Sequence, residues 1–489
     1  VKFPVSFFLL SVIASAALSA GQPQIKDPPL TSTEQGVLDG LLIGDPVVLS
    51  TEKPGSEKPK LSARFIERLL TRALLGEKPH RNGIRIFGAT IDGSLDLKDA
   101  QVECQLWLND CEFTGDMDFT RVQFAGGLAF VDSVFKGRAT FGSATMKGYV
   151  LFDHTVFERK AFFAGATFVG RVSFKGARFT DKTSEVTFTN FKAEMVDLQD
   201  TRFEGPVSFD HAEIANHLLA RGTQFVNTSE VEFRGLKLGG TAVFQKTRFV
   251  GSVSFVDAVV LDLLISEAPS DQASMSGINL SRALIRRQLS ITKVRLKSLV
   301  AVSLRVEGPT TLSDVNIETS ADLRFSRFAT IDLSQTVWPK GAAQCLFQGF
   351  TFQYASAGAD EPESHRALLK LLNGSTYTAD VYSNLEQFFV RQGYKADADT
   401  VFIAGKRRER NEKLHGFPWV GSWLLDRLVG YGRYPWQAGI PCAFFVILGC
   451  FVSYRARWNF ETQRSLKSHR SSDAYTIDSG TVWGYFFRL

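Results

Sequence analysis

From Ile86 to Phe179 one apolar residue recurs at steps that alternate strictly between five and six. The series is Ile86, Ile91, Leu97, Val102, Leu108, Phe113, Phe119, Phe124, Phe130, Phe135, Phe141, Met146, Phe152, Phe157, Phe163, Phe168, Phe174 and Phe179. The residue two before each is also small or apolar, from Ile84 and Ala89 through Ser133 and Thr155 to Ala177. Residues two apart share one face of an extended chain, so each unit reads as a short strand with two inward side chains. A mean step of 5.5 does not fit a helical period of 3.6, and Thr, Val, Phe and Gly are poor residues for a long helix. Short strands joined by tight corners wind into a solenoid. Four units give coils of about 22 residues that pair as parallel strands. Gly93, Gly115, Gly126, Gly137, Gly148 and Gly170 recur two residues after the ladder residue that opens each six-residue step. A corner with positive φ is the natural expectation there.

The ladder explains a composition bias. The 489 residues include 42 Phe against 10 Tyr and 7 Trp, as one environment repeated many times would require. The ladder stumbles twice, between Phe179 and Phe188 and between Phe225 and Phe233. Each stumble holds the same four residue types, Thr183–Val186 and Thr228–Val231. Bulged corners are the simpler reading. Two loops projecting on one side as a binding edge are the functional one, because their starts lie close to two coils apart. From 261 to 356 the apolar pairs persist at Ile278/Leu280, Leu289/Ile291, Val315/Ile317, Leu323/Phe325 and Ile331/Leu333, with wandering spacing. Residues 62–76 predict an amphipathic helix with Ser62 as N-cap and Gly76 at its end. It is expected to cap the solenoid. Beyond 361 a helical hairpin is expected, with Val381, Leu385, Phe388 and Phe389 on one face and a turn at Gly393.

The segments Arg-Val-Ser-Phe-Lys-Gly-Ala-Arg-Phe at 171–179 and Gly-Ala-Thr-Phe at 165–168 resemble pentapeptide-repeat proteins. The opening of the ladder at 83–97 resembles bacterial membrane-associated members. The resemblance covers about residues 84–260 and implies a four-sided, right-handed parallel β-helix. The sixth residue in alternate units departs from the family's strict five and puts a regular square cross-section in question. The resemblance also implies a C-terminal membrane segment. Relatives of this kind often continue to a second one, so the aromatic end Trp483–Leu489 allows for a truncated chain.

Residues 1–20 have the layout of a secretory signal peptide, either cleaved or kept as an anchor. Tyr434–Tyr454 carries no charge over 21 residues, enough for a helix to span a bilayer. Trp436 and Tyr454 stand at its ends, where an aromatic belt belongs. Arg427 and Arg433 precede it, whereas Arg455, Arg457, Arg464, Lys467 and Arg470 follow it. That asymmetry places the tail inside and the solenoid outside, periplasmic or at the cell surface.

The layout expected is therefore a signal peptide at 1–20, an N-terminal segment with its capping helix at 21–83 and regular β-helix at 84–260. Irregular β-helix at 261–356, a helical juxtamembrane region at 357–433, a single span at 434–454 and a cytoplasmic tail at 455–489 follow.

Candidate chemistry is sparse. Five cysteines, Cys104, Cys111, Cys345, Cys442 and Cys450, form no CxxC or His-spaced set. His154, His211 and His217 have no partner at catalytic spacing. Asp96 and Asp118, one residue before ladder positions and one coil apart, would stack on an outer face, close to Asp110, Glu112 and Asp116. They are the basis of an alternative, a carbohydrate-active or Ca²⁺-binding β-helix. Val429–Gly432 resembles a potassium-channel filter but has no second span before it, so a flexible hinge with an interfacial Tyr is expected. Net charge is +2 over 1–83, −3 over 84–260 and +6 over 261–489. The basic surplus near the span suits anionic lipid, and neither half suggests a nucleic-acid partner or a DNA mimic. The leading expectation is a non-enzymatic, membrane-anchored scaffold with no cofactor or metal, binding a protein or envelope ligand through its outer faces. The sequence names neither that ligand nor an oligomeric state.

Overall fold

The computed structural model describes residues 29–49, 57–71, 73–74, 80–267, 275–333, 335–339, 344–356 and 365–468. The leader expected over 1–20 and the aromatic end 483–489 lie outside the described residues. The fold is mainly β, a parallel solenoid of about 12 turns, with helices at both ends and one long apolar helix. The chain divides into two units, 1–376 and 377–489.

All eighteen ladder residues are buried, none more than 2% exposed. Each coil has four strand positions, which form four walls. In one coil these are Gln123–Phe124, Leu128–Ala129, Val134–Phe135 and Ala139–Thr140. Each pairs in parallel with the residue 22 further on: Phe124 with Met146, Leu128 with Val150, Phe135 with Phe157, Ala139 with Ala161. This register explains the Phe bias. On the third wall Phe113, Phe135, Phe157, Phe179, Phe203, Phe225 and Phe249 form one column. Neighbouring ring centroids are 4.6–5.2 Å apart and the rings within 14° of parallel. On the fourth wall Phe141, Phe163, Phe188, Phe209, Phe233 and Phe255 stack at 4.4–5.1 Å. Strands lie ~4.8 Å apart, close to the spacing of stacked rings, and each pair adds ~0.5–1.5 kcal/mol beyond burial.

The corners differ from expectation. Of the six recurrent glycines only Gly93 has positive φ. The left-handed residues instead fall in the five-residue units, at Asp99, Asp110, Arg121, Asp132, Ser143 and His154. There the N–H three residues on closes the turn, as from Ala100 to the Leu97 carbonyl at 2.9 Å. Asp, Asn and Ser tolerate this backbone because their short polar side chains bond locally. The recurrent glycines serve close approach of coils. A Cβ on Gly137 would lie 2.2 Å from the Gly115 carbonyl oxygen, and one on Gly115 would lie 2.5 Å from Gly93 backbone.

Beyond 260 the parallel pairing continues, Val260 to Ile285, Val306, Phe328 and Phe352. Ile278, Leu280, Leu289, Ile291, Val315, Ile317, Leu323, Ile331 and Leu333 are buried as expected. Phe325 is not. It is 51% exposed and left-handed, because it stands at the corner two residues past Leu323. The inward pair is Ala321/Leu323.

Two helices close the N-terminal edge. Helix α1, Ser32–Ile43, begins with a Thr31–Glu34 capping box and ends at left-handed Gly44. Helix α2, Ala63–Leu70, is capped by the Ser62 hydroxyl as expected, but stops at Thr71. Gly76, its expected end, lies outside the described residues. Glu34 joins the two, its carboxylate accepting from Ser62 N and Oγ at 3.1 and 2.6 Å. Burial works to raise the Glu34 carboxyl, but bonds from Ser62 and Thr31 outweigh it and hold it below its ordinary range. Glu67 of α2 accepts the Asp96 N–H at 2.8 Å, so the helix covers an edge that would otherwise recruit another strand. Helix α3, His365–Asn373, ends the first unit, where Thr376 N donates to the Cys345 carbonyl at 3.1 Å.

The second unit holds the expected hairpin, α4 (Ala379–Arg391) and α5 (Lys395–Lys413), joined at left-handed Gly393. Val381, Leu385, Phe388 and Phe389 are buried between them. A further helix, α6 (Phe417–Val429), precedes the long helix α7 (Gly439–Ser468). Among the described residues one segment is long and apolar enough to cross a membrane, Pro435–Trp458, four residues longer at its C-terminal end than expected. Gly430, Tyr431 and Gly432 all have positive φ and interrupt the helical backbone between α6 and α7. Tyr431 is held there: its hydroxyl lies 2.8 Å from Ser422 Oγ and accepts from Arg410 at 3.2 Å. The segment is a pinned corner rather than a flexible hinge.

Candidate functional site

Asp96 and Asp118 pair in register on the fourth wall. Their outward column runs on through Thr140, Phe162, Thr187 and Ser208. It then continues through Glu232, Ser254, Asn279, Val300, Asp322 and Leu346. The two aspartates are thus stacked as the spacing predicts. Each is used locally. Asp96 accepts the Lys98 N–H and Asp118 the Thr120 N–H, both at 2.9 Å. Asn279 and Asp322 repeat this bond to Ser281 and Arg324, at 3.0 and 3.2 Å. An acceptor one residue before the ladder position therefore supports the corner that follows, as Asx turns do. Among the described residues no group of three or more His, Cys, Asp or Glu is arranged to hold a metal. Asp116 bonds Arg138 and Glu112 bonds Lys136, so the acidic cluster read from the sequence is divided among basic partners one coil on.

Higher on the same wall the charges converge. The two stumbles lie on one corner, separated by a coil. A Cβ on Gly205 of the middle coil would lie 2.4 Å from the Asp181 carbonyl oxygen and 2.7 Å from that of Ser184. One on Gly251 would lie 2.1 Å from the Ser229 carbonyl oxygen. Glycine lets the next coil pass beneath each loop. Asp181 fastens the first loop by accepting from Thr183 N and Ser184 N at 2.9 and 3.2 Å. The Thr183 backbone bond leads in pulling its carboxyl down to about 2. Asn227 fastens the second through Ser229 N at 2.8 Å.

Beside these loops Arg234 donates to Glu230 at 2.7 Å and to Glu232 at 2.9 Å, and its own N–H reaches Asp210 at 2.9 Å. Burial raises the Glu232 carboxyl above its ordinary range, and the neighbouring Asp210 adds to the shift. Next to them lies a shallow groove of 510 Å³, lined by His211, Arg234, Ser254, Asp257, Asn279 and Arg282 among others. Ser254 Oγ is buried there and has no hydrogen-bond partner. The Arg282 guanidinium holds the Asp257 carboxyl below the usual carboxylate range. The charged groups are paired with one another, Arg234 with Glu230 and Glu232, and Arg282 with Asp257. Chemically the wall offers fixed charges of both signs around a shallow depression.

The histidines occupy corners. His154 and His211 are left-handed, and each fits under a glycine one coil on, where a Cβ on Gly176 or Gly235 would meet the imidazole at 2.4 or 2.9 Å. His154 Nδ1 lies 3.3 Å from Asp132. His217 Nδ1 accepts the Thr241 N–H at 3.2 Å. Cys111 and Cys345 are buried, and Cys442 and Cys450 are exposed on α7. Sequence reasoning missed Glu232, Arg234, Asp257 and Arg282. Counting coils from Asp118 would have put Glu232 in the same column, but the stumbles at 179–188 and 225–233 break that count.

A family model for pentapeptide repeats matches residues 108–155, in nine copies. Over those residues the solenoid is built of pentapeptide repeats. No curated protein and no solved structure matches the chain. The match falls within the stretch, Ile86 to Phe179, where the five-six alternation is unbroken. The parallel pairing itself extends through Asp322 to Leu346, where longer corners disturb the sequence step but not the wall. The arrangement is that of a scaffold with repeated outward faces.

Proposed function

We propose that this chain is a non-enzymatic, membrane-anchored scaffold that holds its pentapeptide-repeat solenoid outside the cytoplasm and binds a protein or envelope partner along the fourth wall. The observation that carries the reading is the filled interior. Phe columns on two walls occupy the space where a ligand-enclosing solenoid would need a cavity, so recognition is left to the outer surface. Anchoring is supported by the apolar segment Pro435–Trp458. Sidedness is supported by Arg427 and Arg433 before it against Arg455, Arg457, Arg464, Lys467 and Arg470 after it. The choice of wall is supported by the two fastened loops and by the shallow groove with charges of both signs around it. Such a surface suits complementary charged side chains of a large partner, which steer encounter and fix register.

The test is co-purification of the tagged full chain from solubilised membranes, beside a variant carrying Arg234→Glu and Arg282→Glu. A defined partner held by the native chain and lost from the variant supports this reading. A partner held equally by both removes the fourth wall from it. Turnover of a glycan, or saturable Ca²⁺ binding lost in Asp96→Asn/Asp118→Asn, would replace it with the catalytic or ion-binding alternative.

A further inference from the structure

Helix α6 is built inside out. At ~100° per residue, Trp419, Ser422 and Asp426 fall on one side of it, and Phe417, Val420, Leu424 and Leu428 on the opposite side. The polar side is the one the protein covers. Asp426 is only 7% exposed and accepts from Arg407 at 2.9 Å and from Arg410 at 3.0 Å, both on α5. Burial works to raise the Asp426 carboxyl, but those arginine bonds outweigh it and lower it. Ser422 meets Tyr431 at 2.8 Å, and the Arg410 guanidinium lies 5.7 Å from the Trp419 ring. The apolar side is open: Phe417 is 93% exposed, Leu425 54%, Val420 53% and Leu424 48%.

A surface helix in water does the reverse, turning its apolar stripe to the core. Rotating α6 to that position would pull Asp426 away from two arginines and leave the buried Arg410 without its partner. The ion pair holds the polar side against the protein, and the apolar stripe is left without a partner in its own fold. Continuity with the span says what. The apolar segment begins at Pro435, six residues past the end of α6. The left-handed corner Gly430–Gly432 prevents the two helices from running on as one. Trp423 and Trp436 are exposed along this stretch, and Arg427 flanks the apolar stripe. Aromatic rings and arginines at such positions suit the headgroup level of a bilayer.

We propose that α6 lies in the plane of the membrane surface, with Phe417, Val420, Leu424 and Leu425 sunk at the boundary between headgroups and acyl chains. This rests on the reading of 435–458 as a membrane span. Two contacts with lipid at different angles, one in the plane and one across it, would set the orientation of the helical unit where a lone span would leave it free to swivel.

The test uses the full chain with Cys104, Cys442 and Cys450 replaced by Ser. Single cysteines are introduced as Leu424→Cys, Val420→Cys or Asn411→Cys, and one variant keeps Cys450 as the reporter of the span. Each is labelled with an environment-sensitive fluorophore and placed in phosphatidylcholine–phosphatidylglycerol vesicles containing lipids spin-labelled at shallow or deep positions. Probes at 420 and 424 should shift to the blue and lose intensity to shallow labels, the probe at 450 to deep labels, and that at 411 to neither. Quenching at 450 without quenching at 420 and 424 overturns the in-plane helix and leaves the span standing. No quenching at 450 overturns the span and the in-plane helix with it. An unquenched probe at 424, together with oxidant-driven disulfide cross-linking of two unlabelled Leu424→Cys chains, would overturn the in-plane helix and assign the stripe to self-association.

Discussion

Arg282 stands one coil above Asp257 at a corner where both residues have left-handed backbone, and its Nε and NH2 groups reach the two carboxylate oxygens at 2.7 Å each. Asp99 and Arg121 repeat the same geometry near the other end of the solenoid. Both pairs are more than half exposed, so solvent and salt screen them heavily. Arg282→Ala is therefore expected to leave the thermal unfolding midpoint of the full chain unchanged. A large drop would mean that this corner holds the fold together, and that it is not a surface available for recognition.

The columns of Phe are where stability resides. Phe157→Ala removes a ring stacked between Phe135 at 5.0 Å and Phe179 at 4.7 Å. It should cost ~3–5 kcal/mol, seen as an early unfolding step by circular dichroism. Thr145→Asp, outward on the first wall between Gln123 and Thr167, should change little. Equal damage at both positions would show the inward face to be wrongly assigned.

Corner chemistry gives a sharper contrast. Gly137→Ala should destabilise by ~1–3 kcal/mol, the usual range for overpacking, although Gly137 lacks positive φ. The added methyl would collide with backbone rather than with a movable side chain. Ser143→Gly, at a left-handed residue with φ of 52°, should be close to neutral. Comparing the two unfolding midpoints checks the division of labour between the corners.

How much of this was legible in the sequence follows from what periodicity encodes. A period records which side chains point inward, so the ladder from Ile86 to Phe179 gave the walls, the coil length and the buried set. It does not record backbone sign. Nothing in the spacing separates Gly137, needed for close approach, from Asp132, which bears the positive φ. Phe325 was misplaced for the same reason: an apolar residue two past Leu323 looks inward unless the corner is known. Asp96 and Asp118 were found as a stack, but their bonds to Lys98 and Thr120 depend on turn geometry. Helix α6 falls within the region expected to be helical at 357–433, but its orientation was not legible, because its apolar stripe faces away from the protein.

The first loop on the fourth wall has a pH signature. The folded-state carboxyl of Asp181 sits at about 2 against an ordinary value of 3.8. A depressed carboxyl contributes stability that is fully present above the ordinary value and is lost as pH falls through the folded one. Amide exchange at Thr183 and Ser184 should therefore stay slow down to about pH 4 and quicken as pH approaches 2, relative to the intrinsic rate. In Asp181→Ala it should be fast throughout. Exchange in the native chain that does not respond to acid would remove Asp181 as the clasp.

Topology is the claim on which an external scaffold depends. A reporter that works only outside the cytoplasm, alkaline phosphatase, is fused after Ser356 in one chain and after Ser468 in another. A cytoplasm-dependent reporter is placed at the same two sites in a second pair. Phosphatase activity only at Ser356 and cytoplasmic reporter activity only at Ser468 is the expected result. The reverse pattern would put the solenoid inside the cell and contradict the membrane-anchored external scaffold.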